Sequence, residues 1–304
     1  MIKKINIALA LVFVVLFAFK FLLDAATAAK ARKRRAAVTA AVASSASDLA
    51  PHIYFSAWAP HFSPNAVTRH NGFCLDIIRE VFPNAVFDDS KDTTKLETVL
   101  ELLRTDPDAV IAEYGDLPEL EGFPTASEQM AWMALCVYLP RTNPWQYAGP
   151  ESLDQLRLGW TADYNDSPVL RAFAEKWKDT PGKAVVYNPP RHVGDFYWER
   201  ITGGEIDGFV STVGEAEISR LDNDSKSFVR YRRSKPIDVV TLRFRASSVD
   251  LERSQRICDA FDEGVHRLYR DGTIQRLAEY YQRELSDMGL EAVKIPVECY
   301  DEDR

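Results

Sequence analysis

The sequence predicts an α/β fold in which short buried strands alternate with amphipathic helices. Three observations support this prediction. Residues 201–221 contain a helix end, a glycine turn, an acid, a short apolar strand and a helix start. Residues 94–112 show a similar order of helix, acid and apolar strand. The chain has 304 residues, of which 46% are hydrophobic, so it can bury a large core in one or two domains.

The stretch 201–221 indicates a ligand site as well as a fold. Gly203 and Gly204 end a helix, because glycine adopts left-handed backbone angles without steric cost. Residues 206–211 follow as a short buried strand, and Thr212 with Glu215 forms a capping box that starts the next helix. A strand that runs into a helix presents backbone N–H groups at its carboxyl end, where open α/β sheets bind ligands.

The earlier stretch predicts a second unit of the same kind. Thr94 and Glu97 form a capping box for a helix with leucine and valine at helical spacing. Pro107 ends this helix, and residues 109–112 follow as an apolar strand. Two units with one design favour an architecture of two related α/β parts.

The first 29 residues are typical of a signal peptide or a membrane anchor. Lys3 and Lys4 precede an apolar run over residues 5–19, and small residues follow it. The alternative is an uncleaved anchor over residues 5–23, with Lys20 reaching the membrane surface. Five basic residues between 30 and 35 oppose export, since the positive-inside rule holds such residues in the cytoplasm. We expect a periplasmic protein, cleaved or tethered, with a basic Ala/Ser-rich linker over residues 30–51.

The other predicted elements follow from hydrophobic periodicity and from start and stop residues. Prolines and aromatic residues fill the loop 59–64, Ser152 with Gln155 forms a further capping box, and Ser167-Pro168 starts a helix. Asp271-Gly272 separates the last two helices. Predicted strands span 53–58, 130–139, 158–160, 184–187 and 238–244, and predicted helices span 72–82, 167–177, 248–270 and 273–285.

In this order, the segments resemble a type II periplasmic solute-binding protein, most similar to family 3, which serves amino-acid ABC transporters. The resemblance implies two α/β lobes joined by two hinge strands, within 133–139 and 237–243, that close on a small-molecule solute. Lobe 1 would comprise 52–138 and 239–286, lobe 2 would comprise 139–238, and 287–304 would be an acidic tail. The matching segments are GFCLDIIREVF, DAVIA, SLDQLRLGW, GGEIDGFVS and the closing stretch SSVDLERSQRICDAFDEGVHRLYRDGTIQRLAEYY.

Two departures from the family pattern concern the ligand. Amino-acid binders of this family carry an arginine after the DAVIA-type strand for the ligand carboxylate. Here EYGDLPELEGFPTASEQ contains no arginine, and Thr212 stands where the family has an aspartate for the ligand ammonium. A standard amino acid would bury two charges without partners, which is costly, so we expect another small polar solute.

The resemblance also implies which residues line the cleft. They fall in the first-strand loop, after the DAVIA strand, after the first strand of lobe 2 and at the start of the helix that follows residue 211. Aromatic rings next to carboxylates would suit a cation or a polyhydroxylated solute. The candidates are Trp58, His61, Phe62, Glu113, Tyr114, Thr161, Asp163, Tyr164, Ser211 and Thr212.

Simpler interpretations of these residues remain open. Trp58 and Phe62 would also fit a core position, His61 a surface loop, and Thr212 a helix cap. Glu113 and Asp163 would also fit solvated or arginine-paired acids.

Alternatives from other functional classes remain open. The first is a two-lobed enzyme that uses Asp163, Glu113 or His61 for acid–base chemistry, and the second is a membrane-tethered sensor. We expect no cofactor and no metal, since the five histidines lack metal-ligand spacing. The net charge of −8 argues against nucleic acid as a partner. The expected partners are the solute and an ABC transporter permease or another membrane protein. Cys74 and Cys258 are expected to be buried thiols.

Overall fold

The computed structural model describes residues 48–56, 61–62, 72–165, 167–187, 193–219, 231–289, 293 and 295. The chain divides into a unit of residues 1–46 and a compact unit of residues 47–304. All described residues belong to the second unit. The predicted signal peptide or anchor, most of the linker and most of the acidic tail therefore lie outside the described residues. Within the described ranges, no helix has the length and hydropathy needed to cross a membrane.

The described residues form one mixed sheet of eight strands with helices packed on it. Their order in the sheet is β2-β1-β3-β8-β4-β7-β5-β6. The strands are β1 (His52–Tyr54), β2 (Val86–Asp88), β3 (Ala109–Tyr114), β4 (Thr125–Pro140), β5 (Leu158–Thr161), β6 (Ala184–Tyr187), β7 (Gly208–Thr212) and β8 (Tyr231–Ala246). The α-helices are α1 (Phe73–Val81), α2 (Leu96–Thr105), α3 (Pro168–Lys176), α4 (Val193–Thr202), α5 (Val213–Ser219), α6 (Leu251–Arg270) and α7 (Thr273–Asp287).

Two long strands in the middle of the sheet connect two α/β halves. β1, β2 and β3 are mutually parallel on one side, and β5, β6 and β7 are parallel on the other. β3 is antiparallel to β8, β8 to β4, and β4 to β7. The carboxyl ends of β3 and β7 therefore point towards each other.

The strand register gives the separation between these two carboxyl edges. Tyr114, the last residue of β3, pairs with Arg243 of β8, which is level with Gln129 of β4. Thr212, the last residue of β7, pairs with Leu135, six residues further along β4. At about 3.3 Å per residue, the edges are about 20 Å apart along a ribbon formed by β4 and β8. This is the fold class that the sequence predicts, with two α/β lobes joined by two strands.

Each half has an apolar cluster of its own. Val99, Leu103 and Ile111 are buried in the first half, and Tyr197 and Phe209 stack with ring centroids 4.5 Å apart in the second. In the first half, α6 packs on β4 and on α1. A Cβ at Gly264 of α6 would lie 2.6 Å from Val81 Cγ1, so the close approach of α6 and α1 requires glycine there.

The predicted elements exist, but several of their starts differ. α2 begins at Leu96 without a side-chain cap, because the Thr94 hydroxyl donates to Asp92 instead; the predicted capping box at Thr94 is wrong. The capping box at Ser152 is also wrong, since residues 150–155 form a short 3₁₀ helix. α6 begins at Leu251, with Asp250 as its N-cap, rather than at the predicted start near residue 248. The predicted start at Ser167 is confirmed, because its hydroxyl accepts the Leu170 N–H at 3.2 Å.

Three strand lengths also differ clearly from the sequence prediction. The first strand ends at Tyr54 rather than continuing to residue 58. β4 and β8 have 16 residues each, well beyond the predicted stretches, because polar residues at their ends continue the pairing between them.

Candidate functional site

Glu113 lies at the carboxyl edge of the first half, in a network of hydroxyl groups. One carboxylate oxygen accepts the backbone N–H of Ser56, which follows β1, at 2.5 Å. The other accepts the Thr93 hydroxyl at 2.6 Å. The Tyr114 hydroxyl donates to the Thr93 carbonyl oxygen at 2.6 Å. Glu113 is only 8% exposed, and its carboxylate links β1, β3 and the loop before α2.

A second network occupies the carboxyl edge of the other half. The hydroxyls of Tyr164 and Ser211 both donate to Oε2 of Glu215, the latter at 2.7 Å. The N–H of Thr212 donates to the Tyr164 hydroxyl oxygen at 3.4 Å. Burial, and then the charge of Glu215, raises the pKa of Tyr164 well above its usual value. Tyr164 therefore stays protonated and remains a hydrogen-bond donor to the carboxylate.

This network contains half of the capping box that the sequence predicts at Thr212. The Thr212 hydroxyl accepts the Glu215 N–H at 3.2 Å, as the motif requires. The glutamate side chain does not reach back to the Thr212 N–H, because the Tyr164 hydroxyl lies between them. Glu215 therefore faces the carboxyl ends of β5 and β7.

Thr161 ends β5 and stands next to Ser211. The register pairs Leu158 with Gly208 and Gly159 with Phe209, and continuing it by two residues brings Thr161 level with Ser211, on the same face of the sheet. Thr161 is 6% exposed, and its Oγ1 has no hydrogen-bond partner among the described residues. A buried hydroxyl without a hydrogen-bond partner is costly, and such a group is typical of a position where a bound ligand supplies the missing hydrogen bond.

A third carboxylate, Asp238, lies on β8 opposite Leu135. Its Oδ2 accepts the Ser167 hydroxyl and the Val169 N–H, the latter at 3.2 Å. Asp238 therefore occupies the N-terminus of α3, where the helix dipole stabilises a negative charge.

Two arginines of β8 lie near the other end of the ribbon. Arg245 donates to the Tyr114 carbonyl oxygen at 2.7 Å and to Asp116 at 2.9 Å. Arg243 lies 3.5 Å from the second oxygen of Asp116. Both guanidinium groups are thus already bound to an acid of the same half.

Solved structures share this architecture. YtmK of Bacillus subtilis, a probable amino-acid ABC transporter extracellular-binding protein, superposes with a TM-score of 0.54 at 14% identity, over 77% of this chain and 98% of its own. GshT of Streptococcus mutans, a protein of glutathione import, gives 0.56 at 12% identity over 83% and 99%. Tv2483 bound to L-arginine gives 0.52 at 18% identity over 78% and 90%. No protein-family model and no curated protein matches the sequence.

The chain has the fold of type II periplasmic binding proteins. The superpositions cover nearly the whole length of these proteins, so they include both halves and the ribbon between them. At these identities the likeness establishes the fold, and the ligand must be argued from this chain's own residues.

In this binding-protein fold, the predicted site residues separate into three groups. Glu113 and Tyr114 belong to the first network, and Thr161, Tyr164, Ser211 and Thr212 lie together at the second. The third group is His61 with Phe62, which lies against α1. Trp58 lies outside the described residues, and so does the side chain of Asp163.

His61 is buried rather than exposed on a surface loop. It is 3% exposed, its carbonyl oxygen accepts the Cys74 N–H at 3.0 Å, and its Nδ1 lies 3.8 Å from Cys74 Sγ. Burial lowers the pKa of His61 to about 4, so its ring is neutral near pH 7. Phe62 is also fully buried, which fits the core interpretation of this residue.

Sequence reasoning missed the partners that come from distant segments. Thr93 and Asp238 bond to residues 20 and 71 positions away, and no local motif marks either contact. Glu215 was visible in the sequence as part of a capping box, but its contact with Tyr164 depends on the packing of β5 beside β7. Within the described ranges, no cluster of histidine, cysteine and acidic residues could hold a metal ion. Cys74, Cys136 and Cys258 are buried thiols.

Proposed function

We propose that this protein is an extracytoplasmic solute-binding protein that captures a small polar solute between its two lobes. The observation that carries the proposal is the pair of polar networks at facing carboxyl edges, with β4 and β8 as the strands that cross between the halves. Ligands bind at such edges in open α/β sheets. A solute that contacts both edges makes more contacts in a closed state, so it favours closure. The two-stranded ribbon can act as the hinge, since bending it disturbs few packed side chains.

We propose that the domain limits lie on the same ribbon. Lobe 1 would comprise residues 52–138 and 239–286, and lobe 2 residues 139–238. The pairing of Leu135–Tyr138 with β7 favours a crossing slightly earlier, near residue 134. We also propose export through residues 1–29 and delivery of the solute to an ABC transporter permease or another membrane protein. The fold shared with YtmK and GshT supports this part of the proposal.

The solute is proposed not to be a standard amino acid. The region from Glu113 to Gln129 contains no arginine for a carboxylate, and Arg243 and Arg245 are bound to Asp116. Arg141 lies at the far end of β4, where its Nε donates to the Tyr231 carbonyl oxygen. A carboxylate that enters this cleft without a cation would weaken binding on the order of a thousandfold, since a charge buried without a partner costs several kcal/mol.

An acid–base role for Glu113 or His61 is not favoured by their surroundings. Glu113 uses both carboxylate oxygens for internal hydrogen bonds, and His61 is buried against α1. The sensor alternative shares the binding step, so it differs only in the membrane partner.

Native mass spectrometry of the protein purified from its own host tests the proposal. The expected result is a mass excess from a small molecule, which is released unchanged on denaturation and binds again to the solute-free protein in calorimetry. Conversion of the released molecule during incubation with the protein would indicate an enzyme. If neither a bound molecule nor any binding from a screen of small polar solutes is found, the proposal is wrong.

A further inference from the structure

The charges at the two carboxyl edges define the chemical class of the solute, an inference that rests on the proposed function. Among the described residues there, the arginines Arg243 and Arg245 share the acid Asp116. The N-terminus of α3, which could otherwise bind an anion, holds Asp238. These three groups, which could receive a ligand carboxylate, are therefore occupied by carboxylates of the chain.

The loop that follows β2 has no surplus of positive charge either. It contains Asp89 and Asp92 together with Lys91 and Lys95, and the Lys95 ammonium lies 2.8 Å from the Asp92 carboxylate. Glu113 adds a buried negative charge next to this loop, held by the Ser56 N–H and the Thr93 hydroxyl. The described part of this edge is therefore neutral to acidic.

Glu215 is the carboxylate of the second network, at the carboxyl ends of β5 and β7. Both hydroxyl donors described above bind the same oxygen, Oε2, and no described residue forms a hydrogen bond with Oε1. No described arginine or lysine forms a salt bridge with Glu215.

Thr161 supplies an independent indication at the same place. Its buried hydroxyl lacks a partner among the described residues, and the β5–β7 register puts it beside Ser211, which binds Glu215. A hydroxyl can accept a hydrogen bond from the same cationic group that donates to a carboxylate. An ammonium group has three donors and a guanidinium group five, enough for both.

We propose that Thr161 and Glu215 bind the ammonium or guanidinium group of an organic cation that lacks an α-carboxylate. Ser211 and Tyr164 hold the Glu215 carboxylate in place from behind. The cation neutralises the charge of the half-buried Glu215 and gives the Thr161 hydroxyl a hydrogen-bond partner. The solute is proposed to lack a carboxylate because Arg243 and Arg245 are already bound to Asp116.

The test is calorimetry on the full chain with two matched pairs of probes, agmatine against L-arginine and putrescine against L-ornithine. Within each pair, the α-carboxylate is the group that differs. We expect the decarboxylated member of at least one pair to bind at least tenfold more tightly, with affinity that falls as sodium chloride rises from 50 to 500 mM. Tighter binding of the amino acids would overturn the proposal, because it would reveal a carboxylate receptor.

Two near-isosteric variants test the assignment to residues. Glu215→Gln removes the charge and should weaken cation binding at least tenfold. The control is Glu101→Gln, at an exposed glutamate on α2, which makes the same change in net charge and should leave the affinity unchanged. Thr161→Val should also weaken binding, but the solute-free protein should be as stable as before or more stable, because a buried hydroxyl without a partner is lost. A Thr161→Val protein with unchanged affinity would refute the role of Thr161.

The outcomes separate this inference from the proposed function. If an uncharged polyol binds and closes the lobes while all four probes fail, the protein is a solute-binding protein and the inference is wrong. If the cations bind equally to the wild type and to Glu215→Gln, the cation site lies elsewhere and the assignment is wrong. If neither the probes nor any other small polar solute binds, both proposals fail.

Discussion

Replacing Asp238 by alanine should destabilise the second half through the loss of a contact between β8 and α3. The Asp238 carboxylate accepts the Ser167 hydroxyl and the Val169 N–H at the first turn of α3. A hydrogen bond to a charged group contributes about 1.5–3 kcal/mol, and Asp238 is only half-buried, so we use the lower part of this range. At about 1.5 kcal/mol for each of the two bonds, the expected loss is about 3 kcal/mol, which for a domain of this size lowers Tm by about 6–12 °C.

Thermal unfolding followed by circular dichroism measures this effect in the full chain. Asp179→Ala, an exposed acid in the loop after α3, is the matched control and should shift Tm by less than about 2 °C. Asp238→Asn keeps an acceptor and should lose about half as much as Asp238→Ala. In a double-mutant cycle with Ser167→Ala, the losses should be less than additive, because both variants remove the same hydrogen bond. Equal Tm values for Asp238→Ala and Asp179→Ala would refute the contact.

Gly264→Ala should lower the free energy of unfolding, measured with urea, by about 1–3 kcal/mol, because the added Cβ would lie 2.6 Å from Val81 Cγ1. Val81→Ala in the same chain should recover part of this loss. No recovery would mean that α6 and α1 do not meet there. Cys136 and Cys258 should resist alkylation at pH 8 until the protein is unfolded, since burial raises their pKa values to about 11 and about 12 and leaves little thiolate. Peptide mass spectrometry after iodoacetamide treatment measures this, and rapid native labelling of either thiol would contradict it. Replacement of the buried Arg245 by methionine should lower the urea midpoint, because the Tyr114 carbonyl oxygen and Asp116 each lose a donor; an unchanged midpoint would show that these bonds contribute little.

The sequence predicts the architecture because the positions of helices and strands depend on local turn residues and on hydrophobic periodicity. The glycine turn at Gly203-Gly204 confirms this: Gly204 has φ of 73° and ends α4, as the sequence indicates. The capping boxes at Thr94 and Ser152 failed because competing partners, Asp92 and the Gly149 carbonyl oxygen, bind those hydroxyls.

The site is less predictable because its contacts are made between distant segments. Thr161, Tyr164, Ser211 and Thr212 come together because β5 pairs with β7, and the sequence located these residues through family resemblance. The role of Glu215 depends on the Tyr164 hydroxyl, 51 residues away. The occupation of Arg245 by Asp116 likewise joins residues 129 positions apart, and no sequence pattern reveals it.

Small-angle X-ray scattering of the full chain, with and without the solute released from the native protein, tests the central claim most directly. If the solute binds between the carboxyl edges, the two halves should rotate about the β4–β8 ribbon, and the radius of gyration should fall at saturating solute. The Thr161→Val and Glu215→Gln variants should require at least tenfold more solute for the same change. An unchanged radius of gyration at full occupancy, verified by calorimetry on the same sample, would contradict closure of the two lobes on the solute.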